Sequence, residues 1–592
     1  MVKPLVYYAI SFFVSCIFML ILQENVFIGA VIAASFFAVL FFTLDKRVFA
    51  ISIVFFLTAI ISFQLYFSIE VPNIIEVRIT QKFGYNWLGE YKGRKLIISG
   101  KINKLEEGKK IKAYGKFDYN KQYSRGIIGK YNVLKYESLN KDFVSYFYSI
   151  KKNIHYSFQQ QLGEEKSALI MALCYGDTGY LSQSQKEEFK KLGVYHAVSV
   201  SGFHMAIIYK ILEMFLGLKI SILVSFLYLI FTGIQAATLR AFIMILVFKF
   251  SKKLCKNYDP ISSLSLAALI ILLNKPFYAA NIGFGLSFLA TLGILIYYKR
   301  MVRVMYKLPV KLSESLGITL SSQVFTIPYT AFTIQNFSAG FILGNTLLLP
   351  MYSVLVILGN ITLLMCSIKP VFILFSKALN LILTALEGAN YLLLDLSPST
   401  SYLGYFEGIA FVLVYFSFIM YKYGYEKYKY LPVFILFSFV LNSYSFVPFI
   451  YYTRFHGGEG VTVKYKNQST MICNYDISSA KEVISLKDEM DIKRIVTNPD
   501  ADTLVKIDRN FYIKVLEQNY KDKNVKQKVL GESNIFLKNY KNYKEISVIK
   551  SDYTSEAFKN NIPNNSLNKV GYINNNSGSL YVIMFNRMLK IK

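Results

Sequence analysis

Apolar runs of about 20 residues, the length that crosses a bilayer as a helix, recur along this chain. Three come first, near 5–22, 26–44 and 48–69, joined by Gln23-Glu24-Asn25 and Asp45-Lys46-Arg47. From 72 to 140 the pattern changes. Segments such as Lys95-Leu-Ile-Ile-Ser-Gly-Lys101 and Lys110-Ile-Lys-Ala-Tyr-Gly-Lys-Phe117 partly alternate polar and apolar residues, and Gly84, Gly89, Gly93, Gly100, Gly108, Gly115, Gly126 and Gly129 break the stretch. Short alternating segments between glycine turns predict a small antiparallel barrel. Residues 141–192 read as amphipathic helices at the membrane interface. From 193 to 450 the chain is again mostly apolar, with nine or ten further segments, several short or interrupted. One run, 219–250, is broken by Thr232-Gly-Ile-Gln-Ala-Ala-Thr238 just before Arg240. The stretch 451–592 is polar, rich in Lys and Asn, and alternates like strands.

Composition agrees with a polytopic membrane protein carrying soluble parts. Of 592 residues 54% are hydrophobic and only 17% charged, against about 25% charged in ordinary soluble domains. The net charge of +29 partly marks cytoplasmic loops. Lys3, the Asp45-Lys46-Arg47 joint, Lys249–Lys256, Lys299–Arg303 and Lys422–Lys429 belong inside by that rule. The third span then exits, so 72–140 and the C-terminal part both fall outside. Lys3 followed by an apolar run imitates a signal peptide, but no small-residue cleavage site follows, and a retained first span is expected. The five cysteines are scattered, form no CxxC pair and point to neither a disulfide framework nor zinc. No G-x-x-x-x-G-K-[ST] loop occurs, so ATP is not bound in that way. No internal repeat of the kind that builds many transporters is visible.

Polar residues at membrane depth cost free energy unless they meet a partner or a wet cavity. Gly193-Val-Tyr-His-Ala-Val-Ser-Val-Ser-Gly-Phe-His204 holds two of the four histidines in the whole chain. Ser201 and His204 are three apart and are expected on one helix face, with Gly202 allowing close approach. His196, Ser199, Ser201, Gly202, His204, Arg240 and Asp177 are the candidate functional residues, which the resemblance described below makes the lining of a polar path. Helix packing through Ser199 and Ser201, snorkelling of Arg240 and helix capping by Asp177 are the structural alternatives. A Ser201–His204 hydrolase lacks a G-x-S-x-G elbow and an orienting acid beside it. Within 70–142 about 16 Lys/Arg outnumber about 8 Asp/Glu, interleaved with aromatic rings. Tyr85, Trp87, Tyr91, Lys95 and Tyr119 are the candidates for holding single-stranded DNA by charge and stacking.

These residues resemble a known signature. Ala168-Leu-Ile-Met-Ala-Leu-Cys-Tyr-Gly-Asp177, then Gly193, His196 and Ser201-Gly-Phe-His204, is similar to the core of the ComEC family of competence proteins, G-x-x-H-x-x-x-x-S-G-x-H. Leu239-Arg240-Ala241-Phe-Ile-Met244 resembles its R-A-x-x-M segment. Asp259, Asn274-Lys-Pro276 and Gly283-Phe-Gly-Leu-Ser-Phe288 resemble its D…N-x-P…G-F-x-L-S-F run, and Pro328, Asn345 and Pro350 stand where later spans carry similar residues. Gly126-Ile-Ile-Gly-Lys-Tyr131 is similar to part of the family's OB-type domain.

The resemblance implies five parts. These are N-terminal transmembrane helices (1–71), an extracellular OB-like barrel (72–140), interfacial helices (141–192), a channel domain (193–450) and a C-terminal domain (451–592). It implies an inner-membrane channel that passes single-stranded DNA into the cytoplasm during natural transformation. A ComEA-type receptor outside and a ComFA-type ATP-driven translocase inside are the implied partners. A membrane-bound nuclease or hydrolase and a small-molecule transporter are the alternatives. Many family members end in a metallo-β-lactamase-like domain with V-G-Q-G-D and H-P-D-x-D-H motifs. Here Gly457-Gly-Glu-Gly-Val461 and Asn498-Pro-Asp500-Ala-Asp502-Thr503 stand in those places. Asn498 and Thr503 replace the metal-binding histidines, and His456 is the one histidine beyond 455. Paired metal sites of this type need several imidazoles, so no metal, no cofactor and no nuclease activity is expected, in a degenerate α/β domain.

Overall fold

The computed structural model describes the chain apart from residues 1–2, 85, 101, 103–104, 141, 199–200, 366–367, 399–400, 456–457, 467, 476–485, 487–489, 491, 498–503, 509–510, 517–528, 531–543, 550–567, 574–578, 585–586 and 592. It divides into two units, Met1–Thr333 with Phe337–Thr400, and Ile334–Asn336 with Ser401–Lys592. The first is mostly helical and includes the barrel. Eight described helices, counting Gly202–Phe231 as one, are by length and composition apolar enough to cross a membrane, fewer than the apolar segments of the sequence, several of which are short or interrupted.

In the first unit α1 (Pro4–Leu22), α2 (Val26–Thr43) and α3 (Lys46–Phe67) form the entry helices. Pro4 sits at the start of α1, where a missing N–H costs nothing, and Asn25 caps α2 by accepting from the Ile28 N–H. α1 packs on α3 through Tyr8 against Phe55 and the Ser15 hydroxyl on the Phe56 carbonyl.

Five strands follow: β1 (Ile74–Phe83), β2 (Asn86–Tyr91), β3 (Arg94–Gly100), β4 (Lys110–Asp118) and β5 (Ile127–Ser138). They close into a barrel in the order β1-β2-β3-β5-β4, back to β1. The sequence pattern predicts antiparallel pairing throughout, but β3 and β5 pair in parallel. That pairing makes the barrel OB-like. Alternation along the strands sends Val77, Ile79, Tyr91, Leu96, Ile98, Ile111, Ala113, Tyr131 and Val133 inward, where they join Phe63, Tyr66, Phe67 and Phe277 of the helices in one apolar cluster. The barrel core therefore runs on into the membrane helices.

The next helices are α4 (Phe143–Leu162), α5 (Glu164–Tyr175), α6 (Gln183–Lys191) and the short α7 (Tyr195–Val198). α4 and α6 are amphipathic, as expected of 141–192, but α5 is not. Every residue from Ser167 to Tyr175 is buried, because Ala168-Leu-Ile-Met-Ala-Leu-Cys-Tyr175 is apolar on all faces, and such a helix belongs in a core. It is wrapped by α4, α13 (Phe341–Leu364) and α14 (Lys369–Leu396).

Between them lie α8 (Gly202–Phe231), α9 (Ala236–Lys253), α10 (Pro260–Asn274), α11 (Ile282–Val304) and α12 (Val310–Thr333). α8 is not one span. Gly217 has φ 69° and ψ 176°, a backbone that glycine adopts freely and other residues rarely do, and the helix reverses there. Gly202 lies against Ala237 and Ala241, and eleven residues on Glu213 pairs with Lys249, so the first leg runs alongside α9. Phe226 then meets Phe242, so the second leg returns. Each leg has about 15 residues and rises about 22 Å, short of the roughly 30 Å of a bilayer core.

The second unit holds α15 (Tyr405–Lys422), α16 (Leu431–Ser443) and two sheets. One sheet orders Arg494–Thr497, Gln468–Tyr475, Gly458–Lys466, Ser445–Phe455, Leu580–Met584 and Arg587–Lys590; the other orders Val529–Leu530, Leu504–Asp508, Phe511–Leu516, Lys544–Ile549 and Asn568–Ile573.

Candidate functional site

The break at Thr232–Gln235 and the turn at Gly217 bring the N-terminus of α8 beside the first turns of α9. Ser201 precedes α8 as its cap rather than sharing a helix face with His204. The His204 Nδ1 accepts the Ser201 N–H at 2.8 Å and lies 3.0 Å from the Ser201 hydroxyl. His204 thus fills the place that Glu or Gln holds in a capping box. An Nδ1 that accepts leaves the proton of a neutral ring on Nε2. That Nε2 is buried without a partner among the described residues. Ser201 and His204 are within reach for nucleophile and base, yet among the described residues no acid orients the ring, so the triad arrangement is incomplete there. His196 turns its Nδ1 to the Gly193 carbonyl at 3.1 Å. Ser199 lies outside the described residues.

Arg240 is the centre of the arrangement. Ala237 and Ala241 on α9 and Gly202 on α8 are small, which lets the two backbones close. The Arg240 guanidinium fills the gap. It donates from Nη1 to the Thr291 hydroxyl of α11, and Thr291 in turn donates to the Ser287 carbonyl at 2.9 Å. It stands 5.9 Å from the centre of the Phe288 ring. Its Nε is buried and unpartnered, and no carboxylate lies within ion-pair distance of it among the described residues. A cation held among three membrane helices with no counter-charge is costly. Phe288 closes the G-F-x-L-S-F segment quoted above, whereas Thr291 was not singled out from sequence, although the Ser287-x-x-x-Thr291 spacing places two hydroxyls on one face of an apolar helix.

A second polar cluster stands at the other end of the same legs. Lys249 of α9 meets Glu213 at 2.6 Å, and the Tyr209 hydroxyl donates to Glu213 at 3.1 Å. The signal for it is Tyr209-x-x-x-Glu213 inside an apolar run. Asp177 accepts the Gly179 N–H at 3.2 Å and caps a turn, with its charge beside Lys151 and His155 of α4 and Glu107 of the barrel. Burial pulls Lys151 below the usual lysine range, an effect that Asp177 and Glu107 partly offset.

The barrel is clamped to the membrane helices by its β3 and β5 edge. Arg94 donates to the Tyr66 and Leu65 carbonyls at 2.7 and 2.6 Å. These are unsatisfied acceptors at the C-terminus of α3, where a cation is favoured. The Tyr66 hydroxyl reaches the Gly126 carbonyl at 3.1 Å, and Lys95 lies 5.2 Å over the Phe277 ring. Burial and the nearby Lys275 pull Lys95 below the usual range. Trp87, Gly89 and Tyr91 alternate inward on β2. Tyr91 is buried in the barrel core and Trp87 packs half-buried against it. Tyr119 is exposed. Tyr85, like Asn498, Asp500, Asp502 and Thr503, lies outside the described residues.

Residues 173–427, which contain α8, α9 and the Arg240 site, match the profile of the Competence protein family. This part of the chain is a competence-protein domain. ComE operon protein 3 of Bacillus subtilis is 25% identical over 43% of this chain and 34% of its own length. An uncharacterized protein of Mycoplasma genitalium, MG316, is 31% identical over 27% of this chain and 42% of its own length. The chain thus spans less than half of either curated relative. No solved structure matches it. In this competence domain the Ser-Gly-x-His segment opens α8, and the Arg-Ala segment lies against it.

Proposed function

We propose that this chain conducts one strand of DNA across the inner membrane into the cytoplasm during natural transformation. The observation that carries the reading is Arg240, a guanidinium without a counter-charge among the described residues, where short, broken helices of the competence domain converge. A passing phosphodiester supplies the missing anion, which guanidinium binds well. Half-span helices and an interrupted backbone are tolerated at membrane depth where they line a cavity.

The barrel stands outside on this reading. Lys46 begins α3 and the barrel abuts its other end, while Lys252 and Lys253 end α9, so the positive-inside rule places these basic ends in the cytoplasm. A ComEA-type receptor then delivers DNA to the barrel side, and a ComFA-type translocase draws it inward. The C-terminal domain lies outside and is not a nuclease.

The test follows labelled DNA into the cytoplasm of cells that lack the gene or carry Arg240→Gln. Import disappears in both, with the variant still present in the membrane. Arg240→Lys keeps part of it. Unchanged import in cells without the gene overturns the proposal.

A further inference from the structure

The face of an OB barrel that commonly receives oligonucleotides, the outer side of β2 and β3 with the adjoining loops, is taken in this protein. Its outward residues are Leu88, Glu90, Lys95, Ile97 and Ser99. Leu88 and Ile97 are covered with Ile127 and Phe83 in an apolar cluster, and Arg125 lies 5.5 Å over the Phe83 ring. Lys95 faces Phe277, and Ser99 donates to the Asn132 side chain at 2.8 Å. The charge that this face leaves exposed is Glu90, which repels phosphate.

The other side of the barrel is different. Side chains alternate along β4, so Lys110, Lys112, Tyr114 and Lys116 all point outward while Ile111 and Ala113 are buried. On β5, Asn132 stands opposite Lys116, and Lys130 opposite Asp118. Lys110 is neutralised by Glu76 at 2.7 Å, and Lys135 by Glu137 at 3.5 Å. Lys112, Lys116 and Lys130 have no ion pair among the described residues, although Glu76 stands opposite Lys112 in the register. Lys112 lies 5.8 Å from the Tyr114 ring. The result is a row of ammonium groups around an aromatic ring, with successive outward positions roughly 7 Å apart along the strand.

Resting on the strand-conducting reading above, we propose that the β4–β5 face of the barrel is its site for single-stranded DNA, with Lys112, Lys116 and Lys130 taking successive phosphates and Tyr114 a base. The polyanion matches the unpaired cations, and a ring among lysines is the pattern of strand-binding surfaces. Because the β2–β3 face is spent on docking and covering, the strand runs over the β4–β5 face instead.

The experiment uses the full-length protein in nanodiscs of phosphatidylcholine and a fluorescent oligothymidylate. Lys112→Gln with Lys116→Gln is compared with a charge-matched pair on exposed barrel positions off this face, Lys82→Gln with Lys92→Gln. The face pair weakens binding on the order of tenfold near 0.1 M salt and lowers the slope of log affinity against log salt by about 1.4. The control pair changes binding far less. Equal effects of the two pairs, or none from either, overturn the assignment. So does a face pair that keeps the oligonucleotide but loses binding to phosphatidylglycerol vesicles, which would make this a lipid-contact surface. Arg240→Gln separates the two readings, because it keeps oligonucleotide binding while import is lost.

Discussion

Arg240 occupies the space that a side chain on residue 202 would need: its Nη2 lies 2.7 Å from where a Cβ on Gly202 would stand. The two residues therefore depend on each other. The Cβ of Gly202→Ala would already stand 3.1 Å from the Ala241 Cβ as well as against the flexible end of Arg240, and Gly202→Val adds two methyl groups to the same gap. We expect Gly202→Val to reduce import and to cost about 1–3 kcal/mol of stability through overpacking. In the background of Arg240→Ala the same change costs less, since the gap is then empty. A double-mutant cycle on thermal stability reads the coupling, and strict additivity would show that the two do not touch.

The turn at Gly217 isolates a backbone effect. Nothing lies within 4 Å of a Cβ built there, so a substitution meets no neighbour and only the left-handed φ resists it. Because ψ is 176°, the backbone lies outside the αL well in which Asn is tolerated, so Gly217→Val and Gly217→Asn should both lower stability, by about 1–3 kcal/mol. Scanning fluorimetry in detergent checks this; an Asn variant as stable as the parent would mean the hairpin reverses in another way.

Arg94 holds the barrel by two carbonyls of α3. Arg94→Ala removes both bonds and should cost about 2–3 kcal/mol of local stability. Limited proteolysis then cuts faster near residues 68–73 and 139–142, while the helices stay intact. An unaltered cleavage pattern would leave the apolar contacts as the sole anchor.

Asp142 links the barrel to α4. Burial raises its carboxyl, but the Ser145 N–H, the Ser145 hydroxyl and Arg78 outweigh that and bring it down to about 2. A depressed carboxylate stabilises the fold above its unfolded value of about 3.9, and the contribution is lost as pH falls through about 2. Asp142→Asn keeps the cap but loses the Arg78 pair. The melting temperature of the parent should thus fall more steeply between pH 4 and pH 2 than that of the variant. Parallel curves would refute the assignment.

Purified full-length protein should carry only substoichiometric zinc and manganese, and should cut no DNA when either is added. Asn498 and Thr503 offer no imidazole, and metal pairs of this type require several. One or two tightly held ions per chain by metal analysis, or metal-dependent cleavage, would reverse the expectation.

Periodicity made the membrane class, the barrel and the interruption before Arg240 legible, because each rests on spacing along the chain. It did not reveal that α5 is central, although eight consecutive apolar positions carried that information. The pairing of Ser201 with His204 was visible as spacing; that Ser201 caps the helix and His204 completes the cap depends on where α8 begins. The strand rule misled only where it was not applied. Trp87 and Tyr91 are four apart on one strand, so they share a face, and in a small barrel a face with two large rings is the inside. Thr291 stayed hidden because its importance comes from Arg240, about fifty residues away, and no local pattern encodes that contact.

On the proposed strand-conducting reading, the hairpin of α8 changes what a transported strand has to overcome. A phosphate crossing a full bilayer core stays in a low-dielectric slab for its whole thickness, and so do the phosphates behind it. Two legs of about 22 Å in place of about 30 Å make the partition locally thinner, so fewer charges are out of water at any instant. The work per nucleotide demanded of whatever pulls the strand falls accordingly. On that reading a shortened septum, rather than strong attraction along its length, is what lets such a polymer keep moving.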